Sequence, residues 1–208
     1  MSGGLFPDIT ADDGLIHLPG FAASDTDALL ALVADITARS PFRHMTTPWG
    51  KPMSVAMSNC GDVGWTADRR GYRYAAHDPI GGAPWPAMPE LFRRLSENAA
   101  TAAGFPGFRP DACLINRYQP GAQMTLHQDR DERDLTAPIV SVSLGLPAIF
   151  LWGGATRKDK TRRITLASGD VVVWGGATRL NFHGVAKLKA SQRPEAVRIN
   201  LTFRKARA

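Results

Sequence analysis

The apolar and polar positions of this chain change their rhythm near Phe105. Ahead of it, DTDALLALVADITARS repeats its apolar residues at helical spacing behind Ser24 and Asp25, which predicts a capped helix near 25–38. A second helix is predicted over 88–103 by PELFRRLSENAATAA, closed by Gly104. Between them, from Pro41 to Pro89, glycine, proline and aromatic residues alternate with basic ones, a pattern of short strands and loops rather than of a regular sheet. Beyond Phe105 the segments ACLINRY, QMTLHQ, PIVSVSLG, AIFLWGG, RRITLASGDVVVWGG and AVRINLTFRK are rich in Val, Ile, Leu and Thr and are separated by Gly- or Pro-containing breaks. That is the rhythm of an antiparallel sandwich or barrel. The expected fold is mainly β with flanking helices, an irregular N-terminal half laid on a C-terminal barrel.

Length and composition narrow the class. A chain of 208 residues can bury one substantial core. No apolar run approaches the roughly 18 residues of a membrane span, so no membrane partner is expected. MSGGLFPDITADDG lacks the basic and apolar regions of a secretory signal. Cys60 and Cys113, the only cysteines, read as buried reduced thiols and make a poor zinc set. A cytoplasmic location is the expectation. Charge is uneven: residues 1–40 hold six acids against Arg39 alone, so residues 41–208 carry a net charge of +11. A basic body attracts polyanions such as a phosphate backbone, although solubility alone explains it equally well.

Candidate chemistry begins in TLHQDRDE. If QMTLHQD is a strand, Gln123, Thr125, His127 and Asp129 share a face, because strand side chains alternate with period two. An imidazole and a carboxylate then converge on one ion. Of the remaining histidines His17, His44, His77 and His183, only His183 lies in the β-rich region. Two histidines and one carboxylate with open positions make the facial triad of non-haem Fe(II) oxygenases; an isolated H-x-D is more often coincidence. The last strand adds weight. Val197, Ile199, Leu201 and Phe203 take one face, and Arg198, Asn200, Thr202 and Arg204 the other. That polar face is either a solvated edge or a carboxylate clamp, since the arginine fork matches two oxygens. Asn116 and Tyr118 share a face in ACLINRY and offer further hydrogen bonds. An iron centre beside a dicarboxylate clamp implies 2-oxoglutarate.

With those residues in view, the chain resembles the AlkB family of Fe(II)/2-oxoglutarate-dependent nucleic-acid dioxygenases. The resemblance runs in order through PFR, MSVAMSNCGDVGW, PWPAMP, ATAAGFPGFRPDACLINRY, PGAQMTLHQDRDE, APIVSVSLGLPAIF, GDVVVWGG, RLNFHG and RINLTFR, over roughly residues 40 to 206. It implies a double-stranded β-helix (jelly-roll) core with an N-terminal nucleotide-recognition lid. The organisation expected is an acidic segment with one helix over 1–40, the lid and a supporting helix over 41–104, and the catalytic core over 105–208, compact overall. It also implies His127, Asp129 and His183 as iron ligands and Asn116, Tyr118, Arg198, Asn200 and Arg204 as 2-oxoglutarate contacts. Arg198 would take the distal carboxylate and Arg204 would lie near the one on iron. For the substrate it implies Trp65 stacking on the flipped base opposite His127, Tyr72 near a phosphate and Asp131 facing an exocyclic amino group. Arg157 would sit at the pocket mouth and Met57 along the lid. Glu132 and Asp134 read as solvated turn acids, Asp170 as structural, and Trp152 and Trp174 as core.

The activity so implied is oxidative dealkylation of bases such as 1-methyladenine and 3-methylcytosine in single- or double-stranded DNA, with RNA a further candidate. O2 is the co-substrate and an aldehyde leaves. A monomer is expected. Two alternatives stay open: a 2-oxoglutarate oxygenase acting on a protein or small molecule, and a non-catalytic nucleic-acid-binding module on the same barrel.

Overall fold

The structure, a computed structural model, describes residues 10–12, 14–191 and 196–208; Asp8 and Asp13 of the acidic segment lie outside them. Its strands are β1 (Thr10–Asp12), β2 (Leu15–Leu18), β3 (Arg43–Thr46), β4 (Pro52–Gly61), β5 (Gly64–Asp68), β6 (Gly71–Ala75), β7 (Ala112–Tyr118), β8 (Met124–His127), β9 (Ile139–Gly145), β10 (Ala148–Trp152), β11 (Arg162–Leu166), β12 (Val171–Trp174), β13 (His183–Val185) and β14 (Arg198–Arg204). Two helices accompany them, α1 (Thr26–Arg39) and α2 (Glu90–Ala102). The strands form an eight-stranded sheet in the order β1-β2-β12-β9-β14-β7-β4-β3, a four-stranded sheet β11-β10-β13-β8 and a separate hairpin β5-β6. Two antiparallel sheets, with the hairpin β5-β6 between β4 and α2 in sequence, make the jelly-roll architecture expected from the sequence.

Alternation along the strands divides the large sheet into two faces. Ile115, Val140, Val142, Ile199, Leu201 and Phe203 pack with Leu29, Val33 and Ile36 of α1 and Phe92, Leu95 and Ala99 of α2. The opposite face meets the small sheet in a second cluster that includes Tyr118, Ile139, Phe150, Trp152, Val172 and Trp174. Both tryptophans are therefore core. β14 lies centrally, between β9 and β7. Its polar face is accordingly buried rather than solvated at an edge: Arg198, Asn200, Thr202 and Arg204 are each at most 6% exposed.

Three local expectations are corrected. The first helix has no side-chain cap; a 3₁₀ turn over Ala23–Asp25 leads straight into it, and the Thr26 hydroxyl donates to the carbonyls of Ala22 and Ala23. The span 41–89, expected to be irregular, supplies β4, ten residues long and bonded to β7 within the large sheet. Val55–Cys60 is buried on both faces, so no alternation marks it. Its polar members are satisfied locally, Ser58 donating to the Ser40 carbonyl and the Asn59 amide bracketing the backbone of Trp65. Glu132, expected in solvent, is 7% exposed. Cys60 and Cys113 face each other across β4 and β7 as buried free thiols. Asp170 is structural, accepting from the backbone of Gly20 and Ala167 and pairing with His17 at 3.2 Å.

Candidate metal centre

Strand pairing in the small sheet sets two histidines side by side. His183 of β13 is the register partner of His127 of β8, and their ring centroids are 4.4 Å apart. Gly184 permits the approach: a Cβ there would lie 2.7 Å from the Met124 carbonyl oxygen. Nδ1 of His127 faces the Thr125 carbonyl at 2.9 Å, and Nδ1 of His183 faces that of Asn181 at 3.0 Å. A carbonyl only accepts, so each Nδ1 donates there and each Nε2 is left free to face the site. Both Nε2 atoms point to Asp129, at 3.6 Å from Oδ1 and 3.7 Å from Oδ2. The ligand atoms of the three residues all lie within 4.8 Å of one another.

Asp129 is not placed by strand alternation, since β8 ends at His127. Two arginines place it. Arg204 grips Oδ2 with Nε at 3.0 Å and Nη2 at 2.7 Å. Arg179 donates Nη1 to the Asp129 backbone carbonyl at 2.7 Å and Nε to the Ala137 carbonyl at 2.9 Å. Although burial alone would raise the Asp129 pKa, the charge of Arg204 and the two histidines hold the carboxyl far below its usual range. His183 is lowered to about 4 by burial and by the neighbouring His127, against the pull of Asp129. At neutral pH Asp129 is thus a carboxylate and the His183 imidazole neutral, the protonation states metal binding requires.

Behind the triad lie the residues expected at the co-substrate. Arg198 is buried, stacked 4.9 Å over the Tyr118 ring, with Nη2 donating to Ser143 at 3.0 Å. Its Nε and Nη1 have no hydrogen-bond partner among the described residues, nor does Asn116 Oδ1. Asn200 donates to Ser141 and to the Val142 carbonyl. Buried guanidinium donors without partners are costly unless an anion meets them. A cationic fork opening beside a two-histidine, one-carboxylate set fits Fe(II) with a dicarboxylate. Ser141 and Ser143, which support this layer, carry no sequence signal beyond a polar inward face of β9.

The hairpin β5-β6 attaches to the loop after Asp129 by two adjacent acids. Trp65 donates Nε1 to Asp131 at 2.8 Å and stacks on Tyr72 at 5.6 Å, 15° from parallel. Tyr74 donates to Glu132 Oε1 at 2.6 Å. Glu132 also pairs with Arg179 at 3.1 Å and Arg204 at 3.3 Å. Sequence reasoning missed Glu132, Arg179 and Tyr74, because one acid among several in a turn looks solvated until three dimensions bury it. Breaking a buried pair by removing one partner costs about 3–5 kcal/mol. Arg179→Met is expected to lose stability of that order, read as a lower denaturant midpoint, while Asp134→Ala in the same loop is near neutral. Met57 is buried on β4 opposite Asn116. Arg157 is exposed, its Nη1 on the Leu126 carbonyl at 2.6 Å and its guanidinium 5.0 Å over Phe182. The fold thus brings His127, Asp129 and His183 together with Arg204, and ties Trp65 and Tyr72 to the loop that follows Asp129.

Iron-dependent oxygenases that consume 2-oxoglutarate are the class this fold and donor set define. Residues 14–204 match the family model of the 2OG-Fe(II) oxygenase superfamily. The chain is 56% identical over 195 residues to the alpha-ketoglutarate-dependent dioxygenase AlkB of Escherichia coli K12, covering 93% of this chain and 90% of that protein. It therefore belongs to the AlkB family and is an Fe(II)/2-oxoglutarate-dependent dioxygenase. The tRNA demethylase abh1 of Schizosaccharomyces pombe is 39% identical over 145 residues, covering 69% of this chain and 48% of the relative. Among solved structures, that of OsALKBH1 superposes with a TM-score of 0.82 at 30% identity, over 94% of this chain and 98% of the other. Among the described residues no helix is long and apolar enough to cross a membrane.

Proposed function

We propose that the protein reverses N-alkylation of nucleic-acid bases such as 1-methyladenine and 3-methylcytosine, acting as a monomer in the cytoplasm on DNA, with RNA as a second substrate. The observation that carries this reading is the lid: a Trp65–Tyr72 stack tied to Asp131 beside a metal triad is suited to a planar, positively charged ring. The similarity to a tRNA demethylase supports a nucleic-acid substrate.

In this reading His127, Asp129 and His183 hold the iron. Arg198, with Asn116, Tyr118 and Asn200, would receive the distal carboxylate of 2-oxoglutarate, and Arg204 would lie near its other carboxylate. When bound, iron with 2-oxoglutarate and O2 supplies the oxidant that hydroxylates the alkyl carbon, yielding succinate and CO2. The hydroxyalkyl product then breaks down to an aldehyde and the unmodified base. The chain's own residues bind, orient and shield. Trp65 stacks on the base, Tyr72 lies near its phosphate, and Asp131 accepts from its exocyclic amino group. Met57 walls the pocket from β4, and Arg157 guards the mouth. Flipping a base out of a duplex costs about a few kcal/mol, less for a damaged base, and stacking offsets about 1–3 kcal/mol of it.

Trp65→Ala is therefore expected to weaken binding of a methylated oligonucleotide about tenfold while sparing 2-oxoglutarate turnover uncoupled from substrate; unchanged affinity would remove its stacking role. The reading as a whole is tested by aldehyde release from a methylated single-stranded oligonucleotide. Succinate formation without aldehyde from any oligonucleotide would return the protein or small-molecule alternative.

A further inference from the structure

Asp129 shares its burial with three other charged side chains. Asp129, Glu132, Arg179 and Arg204 have side chains at most 9% exposed and pair with one another. Replacing a buried ion pair by apolar groups of similar volume is often neutral or stabilising. Stability alone therefore does not call for this set. One nitrogen in it is shared: Arg204 Nε donates to Asp129 Oδ2 at 3.0 Å and lies 3.3 Å from Glu132 Oε1. Glu132 Oε2 meets Arg179 Nη2 at 3.1 Å, and the Tyr74 hydroxyl donates to Oε1 at 2.6 Å. Arg179 in turn holds the Asp129 carbonyl at 2.7 Å. Glu132 thus reaches the metal ligand through the two arginines that hold it.

Charge makes this position consequential. The site must seat a divalent cation and a dicarboxylate together, and a fixed charge in its wall favours one at the expense of the other. Within the set two cations meet two anions. Arg198, also buried, adds a third cation. With Glu132 neutralised, three buried guanidinium groups would be matched by Asp129 alone. Arg204 would then hold the Asp129 carboxylate without a competitor, against a metal, and the excess positive charge would favour the dicarboxylate. Charges in a dry interior act over several ångströms with little screening by salt.

We propose that Glu132 is a positioning residue that balances the two affinities of the site. By sharing Arg204 it leaves Asp129 available to the metal and restrains the attraction of the arginines for 2-oxoglutarate. This rests on the assignment above of Asp129 to iron and of Arg198 and Arg204 to 2-oxoglutarate. A bridge that only closed the loop would behave differently, its loss weakening both ligands together.

Two isotherms taken without oxygen test this: Mn(II) with metal-free protein, and 2-oxoglutarate with Mn(II)-saturated protein. Glu132→Gln keeps the length of the side chain but not its charge. It is expected to weaken Mn(II) about tenfold and tighten 2-oxoglutarate by a similar factor, the scale of one charge several ångströms away at an effective permittivity of about 20. Glu132→Asp keeps the charge and should produce no such opposed shift. Combining Glu132→Gln with Arg179→Gln removes one charge of each sign and should bring both affinities back toward wild type, although more contacts are lost. Should Glu132→Gln not fold, the same opposed shift is read between Arg179→Gln and the double variant. Equal weakening of both ligands by Glu132→Gln, or a double variant worse than Glu132→Gln for both, would overturn the proposal and leave Glu132 a structural bridge. If wild-type protein bound no Mn(II), or no 2-oxoglutarate once loaded, the underlying assignment would fall as well, a separate result.

Discussion

Asp129→Ala is expected to abolish turnover and stoichiometric iron binding while the fold survives. Losing a partner that only supports a metal ligand typically costs 10–100-fold in metal affinity or activity; losing the one anionic ligand should exceed about 100-fold. The fold survives because Arg204, stripped of its two bonds to Asp129, still meets Glu132 at 3.3 Å, and Arg179 grips the backbone of residue 129 rather than its side chain. Iron content by metal analysis, succinate formation and far-ultraviolet circular dichroism on one sample check all three parts. Normal succinate production in this variant would sink the iron assignment.

Arg198→Lys should instead separate co-substrate from metal. The guanidinium has two donors without protein partners, and a lysine keeps the charge but not the fork. Truncating one member of a buried, hydrogen-bonded charge pair costs about 2–5 kcal/mol, so loss of the fork should raise the 2-oxoglutarate KM by at least about 30-fold. Iron binding should stay near that of the wild type. Binding isotherms for metal and for 2-oxoglutarate, measured separately, distinguish this from general damage. A fall in iron affinity equal to the fall in 2-oxoglutarate affinity would assign Arg198 to the scaffold alone.

Where the hydrophobic period is clean, the fold is legible from sequence. α1, α2 and the strands after Phe105 lie near their expected places because each has one buried and one solvated face, or lies in a run of β-branched residues. β4 escapes because it is buried on both sides and fills that space with Ser58 and Asn59. The convergence of His127 and Asp129 is readable, but for an incomplete reason: the strand stops at His127, and Arg204 and Arg179 hold the aspartate. Arg179 follows the short 3₁₀ turn Gly176–Thr178 and precedes β13 with no periodic signal. Its link to Glu132, 47 positions away in sequence, exists only in the folded chain. The polar face of β14 is visible as a face. Its burial is not, since a strand's place in sheet order is set by pairing partners far along the chain.

The central claim is that this site oxidises an alkyl group on a base. It is tested most directly by reconstituting the protein anaerobically with Fe(II) and 2-oxoglutarate, then admitting air with a single-stranded oligonucleotide bearing one 3-methylcytosine. Mass spectrometry then follows the oligonucleotide while succinate is counted. The account predicts loss of one CH2 from the strand with one succinate per base repaired, and neither with Asp129→Ala. Succinate formed while the oligonucleotide keeps its mass would contradict it.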